Sequence, residues 1–150
     1  MNSKTVYIGA DHNGFDMNKK LIAYLRKSGY TVHDTEADVL DPVDDYPTVA
    51  ARVVNAMLGS KDPSIRGILI CGSGQGICIA ANRYKGIRAC LGYDRESVRA
   101  SRNDDDVNIL CLPSRTLTQD VANNLAEVFL NTPFAEAARF KRRIHEIDNI

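Results

Sequence analysis

Short apolar runs alternate with longer segments of helical period along this chain, the pattern that predicts βαβ units and a parallel sheet. The runs are TVYIGA (Thr5 to Ala10), YTVHDT (Tyr30 to Thr35), GILIC (Gly67 to Cys71), RACLG (Arg88 to Gly92) and NILCLP (Asn108 to Pro113). Five such strands suffice for one open sheet. Between them Met17, Leu21, Tyr24 and Leu25 recur at helical spacing until Gly29 offers a stop. Tyr46, Val49, Ala50, Val53, Val54, Met57 and Leu58 form the cleanest amphipathic stripe in the chain. Further helices are predicted over 75–84, 94–103, 118–130 and 134–147, with Asp94 and Thr118 as N-caps. Irregular loops are predicted over 36–45 and 59–66. The last helix follows a sheet that is already complete. Its apolar face of Ala137, Phe140, Ile144 and Ile147 must find a partner on its own domain or on a second chain, which makes it a candidate dimer element.

The 150 residues fit one domain, and no repeat, low-complexity tract or linker divides them. Nineteen basic residues balance nineteen acidic ones, so no global field recruits nucleic acid or an anionic membrane. No apolar run approaches the roughly 20 residues that span a bilayer, and Met1 to Asp11 lacks the apolar region of a signal peptide. The expected location is cytoplasmic. The cysteines, Cys71, Cys78, Cys90 and Cys111, form no Cys-x-x-Cys pair and have no nearby histidine cluster, against a structural zinc site. In a reducing compartment Cys78, Cys90 and Cys111 read as small buried hydrophobes.

Cys71 differs, because it opens the stretch CGSGQG. Ligands of doubly wound sheets bind beyond the carboxyl ends of the strands. Three such groups should therefore converge: Asp11-His12-Asn13-Gly14, Cys71-Gly72-Ser73-Gly74-Gln75-Gly76 and Pro113-Ser114-Arg115. The Gly-x-Gly-x-Gly spacing departs from the dinucleotide fingerprint and follows the third predicted strand, which argues against a nicotinamide cofactor. Such a loop offers backbone N–H groups that hold a negatively charged oxygen. A thiol at its mouth suits nucleophilic acyl chemistry or abstraction of a proton from carbon beside a carbonyl. The first needs a histidine partner, and His12 is better placed than His33, inside a strand, or His145, on the terminal helix. Arg139 and Arg143, four residues apart on that helix, share a face and could clamp a phosphate. Asp104, Asp105 and Asp106 are too close in sequence to supply the oxygen ligands of a hard cation together.

These residues resemble the ribose-5-phosphate isomerase B group, which includes the galactose-6-phosphate isomerase subunits. The resemblance is carried by IGADHNGF at the start, DDYP at Asp44 to Pro47, GILICGSGQGICIAANR, GIRA, VNIL and the paired arginines near the end. It implies a Rossmann-like, three-layer α/β fold that pairs into a homodimer or a tetramer with shared active sites, without metal or organic cofactor. It further implies aldose–ketose interconversion of a sugar phosphate through an enediolate. Carried over residue by residue, Cys71 matches the base, Ser73 a hydroxyl that shuttles a proton, and Gly72, Gly74 and Gly76 the anion hole. Asp11 and His12 match sugar- and phosphate-side contacts, Tyr46 the pocket wall, and Arg115, Arg139 and Arg143 phosphate ligands. Where some members carry a glutamate base after the glycine loop, this chain has Ile77.

One departure concerns ring opening, which must precede proton transfer. Asp104-Asp105 stand where the family has a His-Asn pair. Asp104 could act as a base in the histidine's place with Asp105 beside it in the pocket. The pocket could instead prefer another sugar phosphate, such as a hexose 6-phosphate, or the chain could be a subunit that binds sugar phosphate without turning it over. The intact Cys71 and glycine loop favour catalysis, and ribose 5-phosphate is the expected substrate.

Overall fold

The computed structural model describes residues 4–36 and 38–150. The expectations for the amino terminus fall partly on residues 1–3, and that for the loop over 36–45 includes Ala37; these four positions lie outside the described residues. Eleven elements follow in order among the described residues: β1 (Thr5–Ala10), α1 (Phe15–Lys27), β2 (Thr31–Asp34), α2 (Tyr46–Leu58), β3 (Arg66–Cys71), α3 (Gln75–Ala81), β4 (Ala89–Leu91), α4 (Arg95–Asp105), β5 (Ile109–Pro113), α5 (Gln119–Asn131) and α6 (Ala138–Asp148). The five strands form one parallel sheet in the order β2-β1-β3-β5-β4.

Alternation along β3 and β5 divides the apolar residues between two layers. Ile68, Ile70, Leu110 and Leu112 pack with Leu21 and Leu25 of α1, Val98 of α4, and Leu125 and Phe129 of α5. Leu69, Cys71, Ile109 and Cys111 face the other way, onto Val49, Val53 and Met57 of α2 and Ile77 and Ala81 of α3. β3 and β5 are thus covered on both faces, which is why they read as continuous apolar runs. The Rossmann-like three-layer expectation holds.

The predicted caps form. Asp94 Oδ1 accepts from the Ser97 N–H at 2.8 Å, and Thr118 Oγ1 from the Val121 N–H at 3.3 Å. After α1, Gly29 takes a positive φ of 94°, and the Tyr30 N–H returns to the Leu25 carbonyl at 3.1 Å.

Three boundaries move for local reasons. α4 runs on through Asp105 because Asp106 enters the left-handed region at φ 46° and the Val107 N–H reaches back to the Ser101 carbonyl, 3.2 Å. The stop that glycine commonly supplies is here an aspartate. α3 ends at Ala81, since the N–H groups of Arg83 and Tyr84 turn to the carbonyls three residues back. α6 starts at Ala138, after Glu136 at φ 58°. It lies against α4: the Ala135 N–H meets the Asn103 carbonyl at 3.1 Å, and Phe140 is buried. Ile147, on the apolar face predicted for this helix, stays 45 % exposed.

Gly67 shows how tightly β3 meets α2. A Cβ there would stand 2.6 Å from Met57 Sδ and 2.9 Å from Ile109 Cγ1. Gly67→Ala is expected to lower stability by ~1–3 kcal/mol through overpacking, read as a fall in the urea midpoint with an unchanged slope.

Candidate active site

The chain reverses direction at the two edge strands, β2 and β4, which leaves β3 at the centre between β1 and β5. The chain passes from β1 to β2 on one side and returns to β3 on the other, then skips to β4 before inserting β5. Loops leaving the carboxyl ends of β1, β3 and β5 therefore share one crevice. Backbone bonds tie them together. The Asp11 N–H donates to the Ile70 carbonyl at 3.1 Å, the Ser114 N–H to the Cys71 carbonyl at 2.9 Å, and the Arg115 N–H to the Gly72 carbonyl at 3.0 Å. Ser114 Oγ donates to the Asn13 carbonyl at 2.8 Å, joining the first loop to the third.

Cys71 ends β3 on the α2–α3 face of the sheet and is 4 % exposed. Its Sγ accepts the Gly74 N–H at 3.2 Å, and Ser73 Oγ accepts the Gln75 N–H at 3.2 Å. The turn into α3 thus directs donors at the thiol and hydroxyl that precede it. Each glycine of the loop meets a different neighbour. A Cβ at Gly72 would lie 3.0 Å from Arg115 Cζ, and one at Gly76 2.6 Å from Tyr46 Cζ. At Gly74, φ is +73° and a Cβ would come within 2.5 Å of Leu91 Cδ1. The alternate-glycine spacing lets an arginine and a tyrosine close on the turn from opposite sides.

Asp11 is 4 % exposed, and its Oδ1 accepts the N–H groups of Asn13 and Gly14 at 3.0 and 3.3 Å. Burial pushes its carboxyl above the usual aspartate value, and the two N–H donors oppose that shift. His12 is gripped twice by Asp44, whose Oδ1 lies 2.8 Å from both the His12 N–H and ring Nδ1. The hydrogen bond that His12 donates to Asp44 raises the imidazole above the ordinary histidine value, against a smaller opposing effect of desolvation and with further support from the charge of Asp11.

Cys71, Ser73, Gly72, Gly74, Gly76, Asp11, His12, Tyr46 and Arg115 thus come together at the carboxyl ends of β1, β3 and β5. Asp104, Asp105, Arg139 and Arg143 do not join them within one chain. Cys71 pairs with Pro113 and Gly67 with Ile109, so β5 separates the crevice from its own amino end by about 13 Å at 3.3 Å per residue. Asp104 and Asp105 end α4 before that amino end. α6 lies against α4, with Asp148 3.6 Å from Arg88 Nη1, and carries Arg139 and Arg143 exposed on its surface. Ser114 belongs to a group expected to converge here, whereas Asp44 enters the site description without a predicted role. Asp44 sits in an irregular loop with no periodicity to point it inward, and only the fold brings it to His12. No group of three or more His, Cys, Asp and Glu among the described residues could hold a metal ion. No helix among them is long and apolar enough to cross a membrane.

Residues 6–147 match the family model described as Ribose/Galactose Isomerase. The chain belongs to that family. It is 37 % identical over 142 residues to a probable ribose-5-phosphate isomerase B of Mycoplasma pneumoniae, covering 95 % of this chain and 91 % of that one. The crystal structure of a ribose 5-phosphate isomerase from Thermotoga maritima is similar at TM-score 0.90 and 38 % identity, over 97 % and 98 % of the two chains. Ribose-5-phosphate isomerase B from Mycoplasma genitalium with bound ribulose-5-phosphate is similar at TM-score 0.91 and 34 % identity, over 97 % and 94 %.

A folded-state histidine value above the unfolded one makes the His12–Asp44 pair fully stabilising below the ordinary histidine pKa, and the contribution disappears as pH rises through the raised value. Asp44→Asn should therefore move the His12 midpoint downward in an imidazole ¹⁵N NMR titration.

Proposed function

We propose that this protein interconverts ribose 5-phosphate and ribulose 5-phosphate through an enediolate. The observation that carries the reading is the Cys71 thiol against the Gly74 N–H in a crevice walled by Arg115 and Tyr46. Family membership and the likeness to an isomerase holding ribulose-5-phosphate support the substrate. Cys71 takes the proton from C2 of the open aldose and returns it to C1. N–H groups of the glycine loop stabilise the oxygen charge that develops, and Ser73 moves a proton between the substrate oxygens. His12, whose protonated form Asp44 favours, and Arg115 bind at the phosphate and hydroxyl side, with Asp11 beside them.

In this reading the active enzyme is a cytoplasmic homodimer or a tetramer built of dimers, with α6 at the subunit contact. The amino-end residues of one subunit complete the crevice of the next: Arg139 and Arg143 hold the phosphate, while Asp104 and Asp105 stand at the sugar ring. Support comes from what one chain leaves apart, four residues matched to the family's site lying at the far end of the sheet from Cys71. A general base is worth roughly 10²–10⁴-fold in rate. Cys71→Ala should lower kcat by that order while substrate still raises the melting temperature. Retained turnover would remove the thiol as base.

Sharing between subunits has its own test. Cys71→Ala and Arg143→Ala should each be inactive alone. After unfolding and joint refolding in equal amounts, the mixture should regain roughly a quarter of wild-type activity, because half the dimers carry one intact site. A mixture that stays inactive would place both residues in one subunit's site.

A further inference from the structure

At the end of the sheet opposite the crevice, a cavity of about 410 Å³ opens among residues that precede the strands. Lys61 and Ile65 come from the loop before β3, Arg66 begins β3, Arg88 precedes β4, and Asn108 precedes β5; Met57 and Leu58 close it from the end of α2. Arg66 and Cys71 stand at opposite ends of β3, five residue steps or about 16 Å apart at the strand rise. The cavity is thus a different place from the crevice on the same chain.

Its cations outrun the carboxylates able to answer them. Asp106 is shared by two arginines, with Oδ1 2.7 Å from Arg102 Nη1 and Oδ2 3.4 Å from Arg88 Nη2. Arg88 is further held by the carbonyls of Asp105 and Asp106 and by Asp148. Asp62, at the rim, accepts from the Ser64 hydroxyl and N–H at 2.7 and 2.9 Å. Arg66 has no such partner. Its Nη1 donates to the carbonyls of Pro63 and Ile65 at 3.0 and 2.9 Å, and among the described residues no carboxylate lies within ion-pair distance of it. Burial, followed by the like charge of Arg102, pushes its guanidinium below the usual arginine value, with the charges of Asp106 and Asp62 opposing the shift without cancelling it. Lys4, just before the neighbouring strand β1, is lowered by burial first and then by the charges of Arg66 and Arg102. A half-buried guanidinium whose Nε and Nη2 edge has no acceptor among the described residues, beside other cations, is a site short of an anion.

We propose that this cavity binds a small oxyanion, inorganic phosphate or the phosphomonoester end of a small metabolite, with the Nε and Nη2 edge of Arg66 as the principal donor and Lys61 at the rim. The planar guanidinium matches two oxygens of such a group, and the cavity leaves room for an organic substituent beyond it. The phosphate of a substrate bound in the crevice would be a separate ion on a separate set of residues.

Backbone amide NMR of the assembled protein, titrated with inorganic phosphate, tests this. Amides of Ile65, Arg66, Arg88 and Asn108 should move with a saturating curve distinct from that of Gly72, Gly74 and Gly76. Arg66→Gln should weaken the first curve by roughly tenfold or more and leave the second unchanged. Tighter binding of glycerol phosphate than of inorganic phosphate would assign the cavity to phosphomonoesters, and equal binding to the free ion. Amino-end amides that stay still while the glycine-loop amides saturate, or that respond equally in Arg66→Gln, would overturn the proposal. Neither result bears on the isomerase reading, which is measured by turnover.

Discussion

The pairing of β3 with β5 is the constraint on which the site depends. Cys71 stands opposite Pro113 in that ladder, and the next backbone bonds carry the pairing beyond the strand ends, from Ser114 to Cys71 and from Arg115 to Gly72. Both strands are covered on each face, so a slip by one residue would turn Leu69 and Cys71 into the layer now filled by Ile68 and Ile70. The register that fills the two cores is therefore the register that brings the guanidinium of Arg115 against Gly72. Stability and site geometry rest on the same hydrogen bonds.

Within the crevice, small residues and large ones are arranged in complementary pairs. Gly72 admits Arg115, Gly76 admits Tyr46, and Gly74 turns the backbone so that its N–H faces Cys71 Sγ. A loop with side chains at these positions could still connect a strand to a helix. It could not bring an arginine, a phenol ring and a thiol to one turn. The spacing that looks like a phosphate-binding turn is thus explained by close approach of side chains from other loops, in addition to exposed N–H donors.

Polar groups are unevenly distributed between the two ends of the sheet. At the carboxyl end, Asp11 is buried against N–H donors and Asp44 holds His12, so the polar groups there are partnered. At the amino end, Asp106 serves both Arg88 and Arg102, while Arg66 is left with backbone carbonyls alone. A chain with equal numbers of acidic and basic residues can still hold local excesses of charge, because the fold sorts residues that the sum does not distinguish.

Much of this was legible in the residues themselves. Alternating apolar runs and helical stripes marked five strands and six helices, because a strand buried on both faces leaves an unbroken apolar run and a half-buried helix leaves a 3.6-residue period. Asp94 and Thr118 marked helix starts by a local bond to a nearby N–H, and CGSGQG marked the crevice by its glycines. The end of α4 was not legible, since an aspartate rather than a glycine takes the left-handed position there. Nor was the partnership of Asp44 with His12, which spans 32 residues of chain and has no periodic signature. The separation of Asp104, Asp105, Arg139 and Arg143 from Cys71 was likewise decided by the direction of β5, a long-range pairing. Sequence determines local conformation and which residues carry chemistry, because those follow from neighbours a few positions away. Tertiary structure alone decides which of them meet.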